Sequence, residues 1–79
     1  MINKIEKVWF DEKRIFIELT DSSVIGAPII WYPNLRKGTS EQLEKYELWS
    51  NGTWLHWEDL DEDLSLDGFL QLIQQKATA

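Results

Sequence analysis

Trp54-Leu55-His56-Trp57-Glu58-Asp59-Leu60-Asp61-Glu62-Asp63-Leu64-Ser65 carries an aromatic strand, an acidic cluster and a helix cap in one unbroken run. Alternation places Trp54 and His56 on one face of the strand and Leu55 and Trp57 on the other, so both faces are covered or one presents aromatic surface. Six acids between positions 58 and 67 read as a solvated connector. Ser65 then reads as the N-cap of a helix in which Leu66, Phe69, Leu70 and Ile73 form an apolar stripe, with Gln71, Gln74 and Gln75 mostly opposite. Residues 76–79, beyond the stripe, are expected to fray.

Upstream, Leu48-Trp49-Ser50 and residues 53–57 flank Asn51-Gly52, a pair that tolerates positive φ at both central positions of a type I′ turn, which predicts a hairpin. Near the N-terminus, residues 5–10 and 14–20 read as two strands. With Glu12-Lys13 as the turn, Phe10 opposes Ile15, Val8 opposes Ile17 and Glu6 opposes Leu19 on the core face. The other face pairs Trp9 with Phe16, Lys7 with Glu18 and Asp11 with Arg14. Glu-Lys suits a type I′ turn poorly, so a longer loop is the alternative. A third strand over residues 24–27 brings Val24 beside Leu19 and Gly26 opposite Ile17, and Pro28 ends it. Pro33 opens a short helix that Gly38 closes. Thr39 and Gln42, at capping-box spacing, open another that buries Leu43 and Tyr46.

These elements predict an α+β fold: an antiparallel three-stranded meander plus a second β-hairpin, packed with two short helices and a C-terminal helix. Seventy-nine residues support a single domain over positions 1–79, because a chain this short builds one core.

The order of these elements resembles the bacterial family called domain of unknown function 2442. The resemblance rests on Val8-Trp9-Phe10-Asp11, the strand from position 15 to Thr20 ending at Asp21, Trp31-Tyr32-Pro33-Asn34-Leu35, Glu41-Gln42, the run from Trp57 to Ser65, and Leu64-Ser65-Leu66-Asp67-Gly68. Asp21-Ser22-Ser23 lacks the glycine the family commonly places after the aspartate, and Gly52 stands where a more glycine-rich hairpin is usual. Some members are fused to a helix-turn-helix domain, and others sit beside a partner in what looks like a toxin and antitoxin pair. With no room in 79 residues for a fused DNA-binding domain, the resemblance implies the neutralising, partner-binding half of such a pair.

Composition narrows the function classes. Fourteen acids against eight bases leave a net charge of −6, which disfavours direct binding to nucleic acid or an anionic membrane and favours a basic protein partner. No cysteine is present, which removes disulfides, thiolate metal sites and thiol nucleophiles. No apolar run has signal-peptide or membrane-spanning length, so the expected location is the cytoplasm. Asp59, Asp61 and Asp63 have the spacing of a calcium loop, but its glycine position holds Leu64 and its bidentate glutamate position Leu70. His56-x-Glu58 lacks the cysteine pair of a zinc deaminase, and His56, the lone histidine, has no evident nucleophile beside it. The four glycines are isolated, which excludes a phosphate loop. No catalytic residue, cofactor or metal is therefore expected.

Five tryptophans are more than so small an interior can readily hide. Those left outside beside acids resemble a binding hot spot with a charged rim. The partner-binding residues read from the sequence are Trp9, Trp54, His56, Trp57, Glu58, Asp59, Asp61, Glu62 and Asp63. The alternatives are a small-ligand sensor with a tryptophan-lined pocket and an accessory subunit that forms a homodimer through an open sheet edge.

Overall fold

Strict alternation buries Ile15, Ile17 and Leu19 and turns Arg14, Phe16 and Glu18 away from them, so β2 (Arg14–Leu19) can pack one face and keep the other outside. In the computed structural model, which describes residues 3–77, β2 is the middle strand of an antiparallel sheet between β1 (Ile5–Phe10) and β3 (Val24–Pro28). Phe10 opposes Ile15, Trp9 Phe16, Val8 Ile17 and Lys7 Glu18, as the pattern predicts. The turn closes differently from a type I′ turn, since neither Glu12 nor Lys13 takes positive φ. The Asp11 carboxylate accepts the amides of Lys13 at 2.8 Å and Arg14 at 2.7 Å, and these bonds hold its pKa below the usual carboxylate range.

Two register expectations fail. Ile5, not Glu6, opposes Leu19, because the ladder slips between Ile5 and Lys7 and leaves Glu6 exposed. Burying a carboxylate against Leu19 would cost more than breaking one rung, and the bulge lets Ile5 and Val8 both reach the core. On the other side, Val24 opposes Glu18, Ile25 opposes Ile17 and Gly26 opposes Phe16, one position from the expected pairing. The turn is one residue shorter than expected, with residues 20–22 between Leu19 and Ser23. Ser22 takes φ 73°, Asp21 accepts the Ser23 amide at 2.9 Å, and the Leu19 amide donates to the Ser23 carbonyl at 2.8 Å. Gly26 thus lies beneath the Phe16 ring, where a β-carbon would stand 2.9 Å from it.

After a 3-10 turn over Ile29–Trp31, Pro33 occupies the first position of α1 (Pro33–Arg36), where its missing amide hydrogen is no loss. The capping box forms as expected: Gln42 donates its amide to Thr39 Oγ1 at 3.1 Å, and Thr39 donates back to Gln42 Oε1 at 3.0 Å, opening α2 (Ser40–Glu44).

The second hairpin extends to three strands, β4 (Glu47–Trp49), β5 (Trp54–Trp57) and β6 (Glu62–Ser65), in that order. The expected hairpin forms, but Ser50 (φ 53°), Asn51 (φ 62°, ψ 34°) and Gly52 (φ 85°) are all left-handed, so a four-residue loop over positions 50–53 closes it, with the Thr53 amide on the Ser50 carbonyl at 3.3 Å. The acidic run is therefore not one connector. Only residues 58–61 form a turn, with Asp61 at φ 51°; Glu62 and Asp63 pair along β5, and Asp67 lies in the helix that follows. Ser65 caps α3 (Leu66–Ala77) as expected, its Oγ accepting the Gly68 amide at 3.0 Å. The helix runs on through Ala77, past the point where fraying is expected to begin, and residues 78 and 79 lie outside the described residues.

Trp57 joins these parts. Its indole N–H donates to the Leu43 carbonyl at 3.0 Å, its ring meets Phe10 of β1 edge-on at 6.3 Å, and only 1% of its surface is exposed. Phe69 of α3 stacks on Tyr32 at 6.1 Å. The Tyr32 hydroxyl is buried with no hydrogen-bond partner among the described residues, and burial, with the Glu62 charge adding, pushes its pKa up to about 12. No helix among the described residues is long and apolar enough to cross a membrane.

Stability measurements on three variants check this core. Trp57→Ala should cost about 3–5 kcal/mol in denaturant unfolding, and Trp57→Phe about 1–3 kcal/mol, since it leaves the Leu43 carbonyl unpaired. Tyr32→Phe removes an unpaired hydroxyl and should be neutral or stabilising by about 1 kcal/mol.

Candidate functional site

Because Leu55 and Trp57 point into the core, Trp54 and His56 must point out of β5. Pairing extends that outer face across the sheet in two rungs. Glu47, His56 and Asp63 form one, and Trp49, Trp54 and Ser65 the other. Trp49 is 46% exposed and Trp54 39%. This is the aromatic surface whose existence the tryptophan count implies.

The two rungs interlock. Trp49 stacks on the His56 imidazole with centroids 4.1 Å apart and planes 20° from parallel, and its indole N–H donates to Glu47 Oε1 at 3.1 Å. His56 Nδ1 is hydrogen-bonded to Asp63 Oδ1. The Asp63 bond raises the His56 pKa above the ordinary histidine value against the opposing effect of desolvation, and the charges of Asp63, Glu47 and Glu58 add to it. The result is a histidine held in place by a ring on one side and a carboxylate on the other. Ser65, the hydroxyl on the neighbouring rung, is occupied by capping α3.

Beside Trp54 a cleft of about 400 Å³ opens towards Asn3, Ser65 and Asp67. It brings an exposed indole and a carboxylate to one opening. From position 47 to position 67 the chain carries seven of its fourteen acids and no lysine or arginine, so this stretch is strongly acidic.

The residues picked from sequence divide among several places. Trp54, His56 and Asp63 share the outer face. Glu58, Asp59 and Asp61 are exposed in the turn at the end of that sheet. Glu62 lies opposite Trp57 on the core side, half-buried, so it is not part of the surface. Trp57 is sealed in the core and cannot dock a partner, because the indole that anchors Leu43 has no side left for solvent. Trp9 belongs to the other sheet, stacked on Phe16 at 5.6 Å with Lys7 Nζ 5.8 Å from its ring, and it is half-buried. Asp59, Asp61 and Asp63 do not converge, and no group of three His, Asp or Glu among the described residues could hold a metal ion.

Sequence reasoning missed Trp49, Glu47 and Asp67 as surface residues. The signal for Trp49 was present, since a hairpin centred on Asn51-Gly52 puts it directly opposite Trp54.

The titration of His56 tests this geometry. Asp63→Asn should lower the His56 midpoint followed by NMR, because its largest raising contact is lost. With the folded pKa raised, His56 contributes stability that is fully present below the ordinary histidine pKa of about 6.5 and is lost as pH climbs through the folded midpoint. The wild type should therefore lose stability over that window relative to the Asp63→Asn variant.

No curated protein matches the chain. A crystal structure of a protein of unknown function from Rhodospirillum rubrum ATCC 11170 is similar, at 29% identity and a TM-score of 0.76, over 90% of this chain and 88% of that one. A family model described as Protein of unknown function (DUF2442) matches residues 5–75. With nearly its whole length matched, and with the paired sheets and C-terminal helix described above, the chain belongs to the DUF2442 family.

Proposed function

We propose that the protein is a non-enzymatic, cytoplasmic interaction module that docks a basic protein partner through the outer face of β4, β5 and β6. The observation that carries this reading is the exposed pair Trp49 and Trp54, set in a stretch, positions 47–67, with seven acids and no lysine or arginine. Tryptophan supplies most of the energy at hot spots, and a rim of one charge selects partners of the other. The cleft between Trp54 and Asp67 suits a lysine or arginine side chain, which can lie against the indole and meet the carboxylate. A neighbouring gene product of basic character, as in a toxin and antitoxin pair, is the natural candidate.

A tryptophan-lined sensor pocket has less support. One tryptophan, Trp54, lines the 400 Å³ cleft, and none lines a larger one of about 620 Å³.

Co-expression with the adjacent gene product, followed by co-purification and titration calorimetry, tests the proposal. A Trp49→Ala, Trp54→Ala double change should weaken the complex at least about a hundredfold, from about 2 kcal/mol or more lost at a hot spot. Asp67→Lys should weaken it further at low salt than at high salt. A complex that survives the double change undiminished would exclude this face.

A further inference from the structure

The 620 Å³ cleft lies away from the acidic sheet, between the β1–β2 turn, the end of β3 and the two short helices. Its walls are of two kinds. Ile29, Leu35 and Leu43 give it an apolar base continuous with the core, and Ile30, 62% exposed, stands at its edge. Around this apolar surface are Lys13, Arg14 and Arg36.

The chain has only two arginines, and both line this cleft. They reach it from separate elements, Arg14 from the start of β2 and Arg36 from the end of α1. Neither guanidinium makes an ion pair or a side-chain hydrogen bond among the described residues. Two acids also line the cleft, Asp11 and Glu12. Asp11 keeps its charge, which acts on Arg14 and Lys13, while its Oδ1 accepts the amides of Lys13 and Arg14. In a protein of net charge −6, this is a place where cations outnumber carboxylates, three to two.

From this arrangement we infer that the cleft is a binding site for a small organic carboxylate carried on an apolar chain. Guanidinium groups offer planar, paired donors that match a carboxylate, and the isoleucine and leucine surface takes the hydrocarbon. The volume falls in the range of about 300–1,000 Å³ typical of small-molecule sites. Ile30 would lose its exposure when such a chain lies on it. This site is independent of the partner-docking face, and its ligand would not touch the tryptophans.

Titration of the intact protein with the straight-chain carboxylates butanoate, hexanoate and octanoate, followed in proton–nitrogen correlation spectra, tests the inference. The matched alcohols serve as the uncharged comparison. Saturable shifts should appear at the amides of Arg14, Ile30, Arg36 and Gly38, with affinity rising along the series and the alcohols binding at least about tenfold more weakly, as expected for loss of a charge-assisted bond. Arg14→Gln and Arg36→Gln, both at exposed positions, should each weaken octanoate about tenfold while leaving the remaining spectrum in place. Absence of saturation by any carboxylate up to about 10 mM would overturn the inference. Equal binding of alcohols, or shifts centred on Trp54 instead, would overturn it as well.

Discussion

The bond from the Trp57 indole to the Leu43 carbonyl sets the arrangement of the whole molecule. A buried carbonyl at the end of a short helix needs a donor, and a tryptophan in a core needs an acceptor. Each meets the other's requirement at a point where α2, β5 and β1 come together. Once Trp57 is committed inward, strand alternation leaves no choice for its neighbours. Leu55 follows it into the core, and Trp54 and His56 are turned to solvent. The exposed aromatic face is thus a by-product of core construction, and the same strand both closes the interior and presents the surface.

The body is thin, 33 by 32 by 19 Å between Cα extremes, so each sheet can cover only one face. The two outer faces meet this condition in different ways. On the first sheet, Phe16 lies over Gly26, Trp9 stacks on Phe16, and Lys7 sits near Trp9, so the aromatic group is largely closed by its own neighbours. On the second, Trp49 is stacked only on its inner side by His56, and Trp54 faces an open cleft. One face has completed its contacts within the chain, and the other has not.

Much of this was legible in the residues because local chemistry determined it. The β1–β2 register follows from alternating apolar positions, the capping box from Thr39 and Gln42, and the β4–β5 hairpin from Asn51-Gly52. What could not be read depended on distant contacts. Glu62-Asp63-Leu64-Ser65 is written mostly in residues that avoid strands, and it becomes one because β5 offers an edge and Leu64 finds the core. Alternation showed that Trp54 and Trp57 face opposite ways, but the inward direction was decided by Leu43 and Phe10, which β5 itself does not encode. The bulge at Glu6 had the same origin, since its place was set by what Leu19 required across the ladder. The candidate surface was therefore half visible: Trp54, His56 and Asp63 were found, whereas Trp49 was overlooked and Trp57 misplaced.

The outer edge of β4 leaves backbone donors and acceptors of the second sheet unpaired, an invitation to add a strand from another chain. That edge is only three residues long and begins at Glu47, the first residue of a stretch, positions 47–67, without a lysine or arginine. Two copies brought edge to edge would set like charges against each other for the sake of a very short ladder. A field of this sign favours a cationic strand over a second copy of the same edge.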